Sequence, residues 1–112
     1  MNGVDGPNFA AYIFAAAMLL IAVVTQLAAS GRIGRNGFVG IRIPPTLASE
    51  AAWRAGHRAA VLPTWIGFVV VIITAVVAQF APQAFVVVVV LLLLFLVWAV
   101  LAAWLAARSA TQ

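Results

Sequence analysis

Three long stretches without a charged side chain limit what this sequence can fold into. They cover residues 9–29, 61–80 and 84–107, and each has the length of about 20 residues that an α-helix needs to cross a membrane. Only 7% of the residues are charged, whereas soluble domains carry about a quarter. A single core of this small chain cannot bury so much apolar surface. The sequence therefore predicts an all-α membrane protein with three transmembrane helices.

The arginines predict the orientation of these helices. Five of the six basic residues lie between Arg32 and Arg58, in the connection between the first two spans, and the sixth, Arg108, follows the third span. Cytoplasmic loops of membrane proteins are enriched in Arg and Lys. We therefore expect the N-terminus outside, and the long loop and the C-terminus in the cytoplasm. Because topology explains where the positive charge lies, we expect no nucleic acid partner.

The sequence predicts a basic cytoplasmic loop that contains a short interfacial helix between helices 1 and 2. Pro44 and Pro45 favour extended chain before them, so the glycine-rich half of the loop is expected to be irregular. Thr46 or Ser49 then caps a short helix with Glu50 in its first turn, which lies at the membrane surface and leads into the second span. The expected segments are an extracytoplasmic tail (1–8), helix 1 (9–29), the Gly/Arg loop with its short helix (30–60), helix 2 (61–80), an outer turn (81–83), helix 3 (84–107) and a cytoplasmic tail (108–112).

Small residues indicate how the spans pack. Ala99, Ala103 and Ala107 recur at four-residue spacing on the third span, and Gly67 and Ala78 lie on a similar face of the second. Lipid is as apolar as leucine, so close packing of small residues has to hold such helices together. We expect these strips to pack within one chain rather than between chains.

Few residues are suited to catalysis. The chain has no cysteine, one histidine, His57, and two acids, Asp5 and Glu50. One histidine and one carboxylate in the same loop are too few for a metal site or for a set of catalytic groups. None of the spans carries the ionisable group that coupled transport usually needs inside the membrane. We therefore predict no enzymatic activity, no cofactor and no metal.

The segment "GRIGRNGFVGIRIPP" (31–45) has two interpretations. Glycines let a backbone approach an anion closely, and arginines bind phosphate through paired hydrogen bonds, which would suit a lipid headgroup or a nucleotide. Alternatively, the glycines supply turns and the arginines only fix the topology, because glycine spacing alone is a weak signal. The expected partners are the lipid bilayer, with anionic headgroups at the arginine loop, and a membrane or soluble protein.

Simple structural roles are expected for several loop residues. Trp53 is interpreted as an interfacial anchor and His57 as a polar group on a helix surface. Arg54 and Arg58 are expected to extend toward lipid headgroups. We expect Arg42 to form an ion pair with a loop carboxylate, Glu50.

The segment "RNGFVGIRIPPTLASEAAWRAGHRAA" (35–60) resembles the SdpI family of small bacterial membrane proteins. The family pattern has a Thr and an aromatic residue where this chain has Ile43 and Pro45. The resemblance places the chain in the bacterial cytoplasmic (inner) membrane. The residues that carry it include Ile41 and Leu47. The predicted site, which could contact a partner or an anion, consists of Asn36, Gly40, Arg42, Pro44, Thr46, Ser49, Glu50, Trp53, Arg54, His57 and Arg58.

The resemblance implies a function in binding rather than in catalysis. The namesake of the family protects its producer from a secreted peptide toxin, and it relays signals by holding a transcriptional repressor at the membrane. This chain is accordingly expected to bind a partner of immunity or signalling type through its loop or its helix faces. The alternative is a small accessory subunit of a larger bacterial membrane complex, such as a respiratory assembly, because helices without embedded charge suit that role equally well.

Overall fold

Three long helices and one short helix make up the computed structural model, which describes residues 5–110 and the side chains from residue 9 onward. In chain order they are α1 (Asp5–Ala29), α2 (Pro44–Leu47), α3 (Glu50–Ala78) and α4 (Ala84–Ala110). The helices α1, α3 and α4 are long and apolar enough to cross a membrane, which confirms the predicted fold class. Residues 1–4 of the predicted N-terminal tail and residues 111–112 of the C-terminal tail lie outside the described residues.

Helix α3 is the centre of the bundle. It packs along both α1 and α4, whereas α1 and α4 contact each other much less. A Cβ atom added to Gly67 of α3 would lie 2.6 Å from Cε of Met18 on α1 and 2.8 Å from Cβ of Phe95 on α4. The missing side chain at Gly67 therefore lets all three helices meet at one level, as small residues do in membrane proteins.

The predicted small-residue strip on α4 is buried inside the chain. Ala99, Ala103 and Ala107 are at most 2% exposed, and Ala99 and Ala103 form one apolar cluster with Ala60 of α3. The expectation that this strip packs within one chain is confirmed. Close contact between small residues also brings the N-terminal end of α3 next to the C-terminal end of α4.

The predicted short helix at the membrane surface is not a separate element. Its residues form the first turns of α3, which continues through Pro63 for 29 residues in all. Proline has no N–H to donate to the carbonyl four residues earlier, here that of Ala59. The Thr64 hydroxyl donates to the next carbonyl, that of Ala60, at 2.9 Å, so the helix continues although the hydrogen bond lost at Pro63 is not replaced by Thr64. Surface helix and second span are thus one continuous rod.

All six arginines lie at one end of the bundle, which we call the loop end. The end of α1, the start of α3 and the end of α4 come together there, because the three long helices alternate in direction. The bundle is elongated, with principal dimensions of 55 × 20 × 18 Å. The opposite end carries the start of α1, with Asp5, and the short connection between α3 and α4, which has no charged residue.

Candidate functional site

The predicted site lies at the loop end, where residues 30–49, here called the connecting loop, fold onto the first turns of α3. The loop itself contributes Asn36, Gly40, Arg42, Pro44, Thr46 and Ser49. Helix α3 contributes Glu50, Trp53, Arg54, His57 and Arg58. The structure therefore brings most of these residues together, and their hydrogen bonds show what each of them does.

Trp53 and His57 hold the loop backbone to α3. Both are completely buried, with ring centroids 4.3 Å apart. The Trp53 Nε1 donates a hydrogen bond to the Ile33 carbonyl at 2.8 Å. The expectation of an interfacial Trp53 and a helix-surface His57 is wrong, because the connecting loop folds back over this face of the helix and covers both rings.

Both ring nitrogens of His57 are used. Nε2 accepts the backbone N–H of Ile41 at 2.9 Å, and Nδ1 lies 2.7 Å from the Trp53 carbonyl, to which it donates. A neutral imidazole has one donor and one acceptor nitrogen, and this pattern places its proton on Nδ1. His57 is therefore a structural connector between α3 and the loop, and its protonation would remove the acceptor for Ile41.

Gly40 permits this contact between loop and helix. Its φ angle is +106°, in the left-handed region that glycine adopts without a steric penalty. A Cβ atom at this position would lie 2.7 Å from Cη2 of Trp53 and 3.0 Å from Nε2 of His57. Only glycine gives both the backbone angle and the space that the two buried rings require.

Thr46 closes the next turn of the loop. Its hydroxyl accepts the N–H of Ile43 at 3.1 Å, and it lies within donating distance of the carbonyls of Ile41 at 2.6 Å and Ile43 at 3.0 Å. Thr46 lies inside α2, which begins at Pro44, so this part of the loop is helical where irregular chain was expected. Proline fits there because the first helical residues need no N–H partner.

Ser49, the second of the two predicted caps, begins α3. Its hydroxyl oxygen accepts the N–H of Ala52 at 3.0 Å, which satisfies one of the free donors of the first turn. Thr46 does not cap this helix, because its hydroxyl is used inside the loop. The two prolines begin α2, which ends at Leu47, and α3 begins after it at Glu50.

The predicted ion pair between Arg42 and Glu50 is wrong. The Glu50 carboxylate instead accepts the backbone N–H of Arg35, with both oxygens 3.2 Å from the nitrogen, and the Arg35 guanidinium Nε lies 3.9 Å away. Arg42 donates from Nε to the Asn36 carbonyl at 3.3 Å. Residues 34 and 35 lie next to the Glu50 carboxylate because the loop leaves α1 directly beside the start of α3.

Asn36 shapes the tip of the loop, residues 36–39. Its Oδ1 accepts the N–H groups of Phe38 at 2.8 Å and Val39 at 2.9 Å, and its Nδ2 donates to the Gly34 carbonyl at 2.8 Å. This side chain thus holds a tight turn whose outermost residue is Phe38. The Phe38 ring is 92% exposed.

Comparison with models of known protein families covers the same part of the chain as this site. A model of the SdpI/YfhL protein family matches residues 32–103. The chain belongs to this family. The match runs through most of the connecting loop, all of α3 and most of α4. Searches of curated proteins and of solved structures gave no match.

Two residues of this SdpI-family site escaped the sequence analysis. A Cβ atom on Gly56 would lie 2.7 Å from Cγ2 of Thr46 and 3.1 Å from the Ala103 carbonyl oxygen, so loop, α3 and α4 meet at this glycine. A glycine inside a helix is unfavourable, and that signal alone could have revealed the contact. Arg35 donates from its guanidinium to the Leu47 carbonyl at 2.9 Å. Nothing in the sequence distinguishes this arginine from the others of the loop.

The residues of the predicted site therefore hold the loop in a defined shape, because their polar side-chain groups bind the loop backbone. Across residues 9–110, no group of three or more His, Asp or Glu side chains lies close enough to hold a metal ion. The outward surface includes Phe38 and the exposed arginines of the loop and of α3, among them Arg54 and Arg58. Aromatic and arginine side chains are typical of recognition surfaces, so the arrangement is suited to binding.

Proposed function

We propose that this chain is a non-catalytic SdpI-type protein of the bacterial cytoplasmic membrane, in which the tip of the connecting loop binds a protein partner. The partner belongs to a toxin-immunity or signalling system, as the family resemblance implies. The loop end faces the cytoplasm and the N-terminus faces outward. Binding at the tip, rather than chemistry, is the function of the loop.

The exposed ring of Phe38 is the observation that carries this proposal. At 92% exposure it is the most exposed large hydrophobic side chain between residues 9 and 110. Exposed Leu, Val and Ile side chains on the long helices face lipid, but Phe38 lies in the loop, outside the three candidate spans. Protein interfaces commonly centre on such an aromatic anchor, with arginines around it.

The fixed shape of the loop supports the same function. Asn36 holds the tip, and Trp53 and His57 bind the backbone on either side of it through hydrogen bonds of 2.8 Å and 2.9 Å. A loop that already has its bound shape loses little conformational entropy on association. The tip is therefore preorganised to present Phe38.

The distribution of charge supports the orientation. All six arginines lie at the loop end, and the opposite connection is uncharged. A bundle with this asymmetry is retained with its basic end in the cytoplasm. A soluble cytoplasmic protein can then reach the tip.

The test is affinity purification of the tagged full chain from its native host in mild detergent, with quantitative mass spectrometry. Phe38→Ala is compared with Phe80→Ala, which removes a ring that is 85% exposed at the opposite end of the bundle. We expect one protein to be enriched at a constant ratio with the wild type and Phe80→Ala, and to be lost with Phe38→Ala.

Two outcomes would contradict the proposal. Equal recovery of the partner with Phe38→Ala would show that the tip is not the binding surface. A stoichiometric set of large membrane proteins, retained by both variants, would instead identify an accessory subunit that is held through its helix faces.

A further inference from the structure

A groove of about 420 Å³ opens between α1, α4 and the connecting loop. It exists because α1 and α4 both pack on α3 and contact each other little, so they diverge at the loop end. Residues 39–43 of the connecting loop line the groove at the loop end of the bundle. The helices contribute Leu20, Ile21, Val24, Thr25 and Val100.

The walls of the groove are almost entirely apolar, and they belong to helices that face lipid. Leu20 and Val24 lie one helical turn apart on α1, so the wall runs along the helix away from the loop. Volumes of this size are typical of sites for small ligands. A bilayer contains one ligand of suitable shape at high concentration, the acyl chain of a phospholipid.

Arg42 lies at the loop side of the groove and supplies positive charge. Its Nε is held by the Asn36 carbonyl, whereas its two terminal nitrogens make no hydrogen bond or ion pair with any side chain of residues 9–110. The Glu50 carboxylate is bound to Arg35 instead. An arginine held in this way can bind phosphate through two parallel hydrogen bonds.

Thr25 provides a second polar group in the groove. It is 1% exposed, and its hydroxyl makes no hydrogen bond within the described part of the chain, although Thr64 and Thr74 donate to backbone carbonyls of their own helix. Buried hydroxyl groups normally have a partner. A buried hydroxyl without one, beside an apolar groove, fits the ester region of a lipid.

We propose that this groove binds one anionic membrane phospholipid, with an acyl chain against Leu20, Val24 and Val100 and with its phosphate on Arg42. The charge and the apolar wall lie in the order in which a lipid presents headgroup and tail. Basic pockets between transmembrane helices on the cytoplasmic side bind anionic headgroups in the same way. Apart from Val39, the residues that line this groove lie outside the tip that is proposed to bind the protein partner.

The first test is native mass spectrometry of the purified full chain with added lipid. The probes are phosphatidylglycerol, which is anionic, and phosphatidylcholine, which has no net charge, with identical dioleoyl chains, so that only the headgroup differs. We expect one phosphatidylglycerol per chain and a preference over phosphatidylcholine of about fivefold, the effect of one arginine near a lipid phosphate. Arg42→Gln should abolish the preference, Arg42→Lys should keep part of it, and Arg58→Gln, which changes an exposed arginine outside the groove, should keep it.

The second test fills the groove. Val24→Phe places a ring in it, whereas Val23→Phe adds the same ring at the neighbouring residue, which is 38% exposed and does not line the groove. We expect Val24→Phe alone to lose both lipids, and circular dichroism and the thermal unfolding midpoint show whether each variant is folded. If Val24→Phe does not fold, the headgroup preference of the Arg42 variants decides.

Three results would overturn the proposal. These are equal binding of the two lipids by the wild type, a headgroup preference that survives Arg42→Gln, and lipid binding that is unchanged in a folded Val24→Phe variant. A dimer that Val24→Phe alone disrupts, and that added lipid leaves intact, would also overturn it, because a second copy of the chain would then occupy the groove.

Discussion

His57 Nε2 accepts the backbone N–H of Ile41 at 2.9 Å, and this hydrogen bond joins the connecting loop to a buried side chain of α3. Its other ring nitrogen is held by the Trp53 carbonyl one helical turn earlier. The imidazole is thus fixed at both nitrogens. Several consequences of this loop architecture can be measured.

Replacing His57 by phenylalanine should loosen the loop. The variant keeps a ring of similar breadth but leaves the Ile41 N–H without an acceptor, and an unsatisfied buried donor costs about 1–3 kcal/mol. We expect a lower thermal unfolding midpoint in detergent, followed by tryptophan fluorescence, and faster proteolysis within residues 30–49. Arg58→Gln, at the next and exposed residue, is the control and should leave both unchanged. A wild-type midpoint for His57→Phe would show that this hydrogen bond contributes little.

Gly40→Ala should be destabilising by about 1–3 kcal/mol, the usual cost of a non-glycine residue at positive φ. The new methyl group would also meet the Trp53 ring, which is completely buried. Gly37→Ala is the matched control, because no heavy atom lies within 4 Å of a Cβ there. Hydrogen exchange of the Ile41 amide is the measurement, and equal protection in both variants would argue against a required glycine at residue 40.

Gly56→Ala tests the contact between loop, α3 and α4. Alanine favours a helix over glycine by about 1 kcal/mol, but overpacking costs about 1–3 kcal/mol, and one of the atoms in the way is the backbone oxygen of Ala103. We therefore expect net destabilisation in thermal unfolding. Adding Thr46→Ser, which removes the nearest methyl group, should restore part of the loss. A stabilised Gly56→Ala variant would contradict the close approach.

The partner of Glu50 can be identified by double-mutant cycles. Arg35→Gln combined with Glu50→Gln should show a coupling free energy of a few tenths of a kcal/mol, because both side chains are about half exposed and surface ion pairs are weak. Arg42→Gln combined with Glu50→Gln should show none. Coupling in the second cycle and not in the first would restore the pairing expected from sequence.

The orientation is testable because the chain contains no cysteine. Gly37→Cys introduces a thiol at the tip, where a side chain meets no neighbour, and Gln83→Cys introduces one at the opposite end. A membrane-impermeant maleimide should label residue 83 in intact spheroplasts, and residue 37 only after the membrane is opened. The reverse pattern would place the loop end outside the cytoplasm.

The three long helices were predictable because each one follows from local composition. An apolar stretch of about 20 residues without charge is typical of a transmembrane helix, and the spacing of Ala99, Ala103 and Ala107 indicated the face on which the third helix packs. The length of α3 was not predictable in the same way. Pro63 lies near the start of the second uncharged stretch, where a proline usually begins a helix, and the sequence does not show that α3 already begins at Glu50.

The loop was predictable as a set of residues but not as a set of contacts. Ser49 was identified because a cap acts on its own helix, two or three residues away. The partners of Trp53 and His57 are backbone groups 16 to 20 residues earlier, and every residue type has such groups. Arg42 and Arg35 are equivalent in charge, so only the path of the chain from α1 determines which of them meets Glu50.

In the connecting loop, side chains take the place of water as hydrogen-bond partners of the backbone. Side chains of Asn36, Thr46, Glu50, Trp53 and His57 bind backbone N–H and carbonyl groups that solvent would otherwise have to hydrate. Irregular chain is normally kept out of the bilayer because dehydrating its backbone is so unfavourable. We therefore expect this loop to keep its shape when it loses hydration at a membrane surface, because its backbone groups already have partners within the chain.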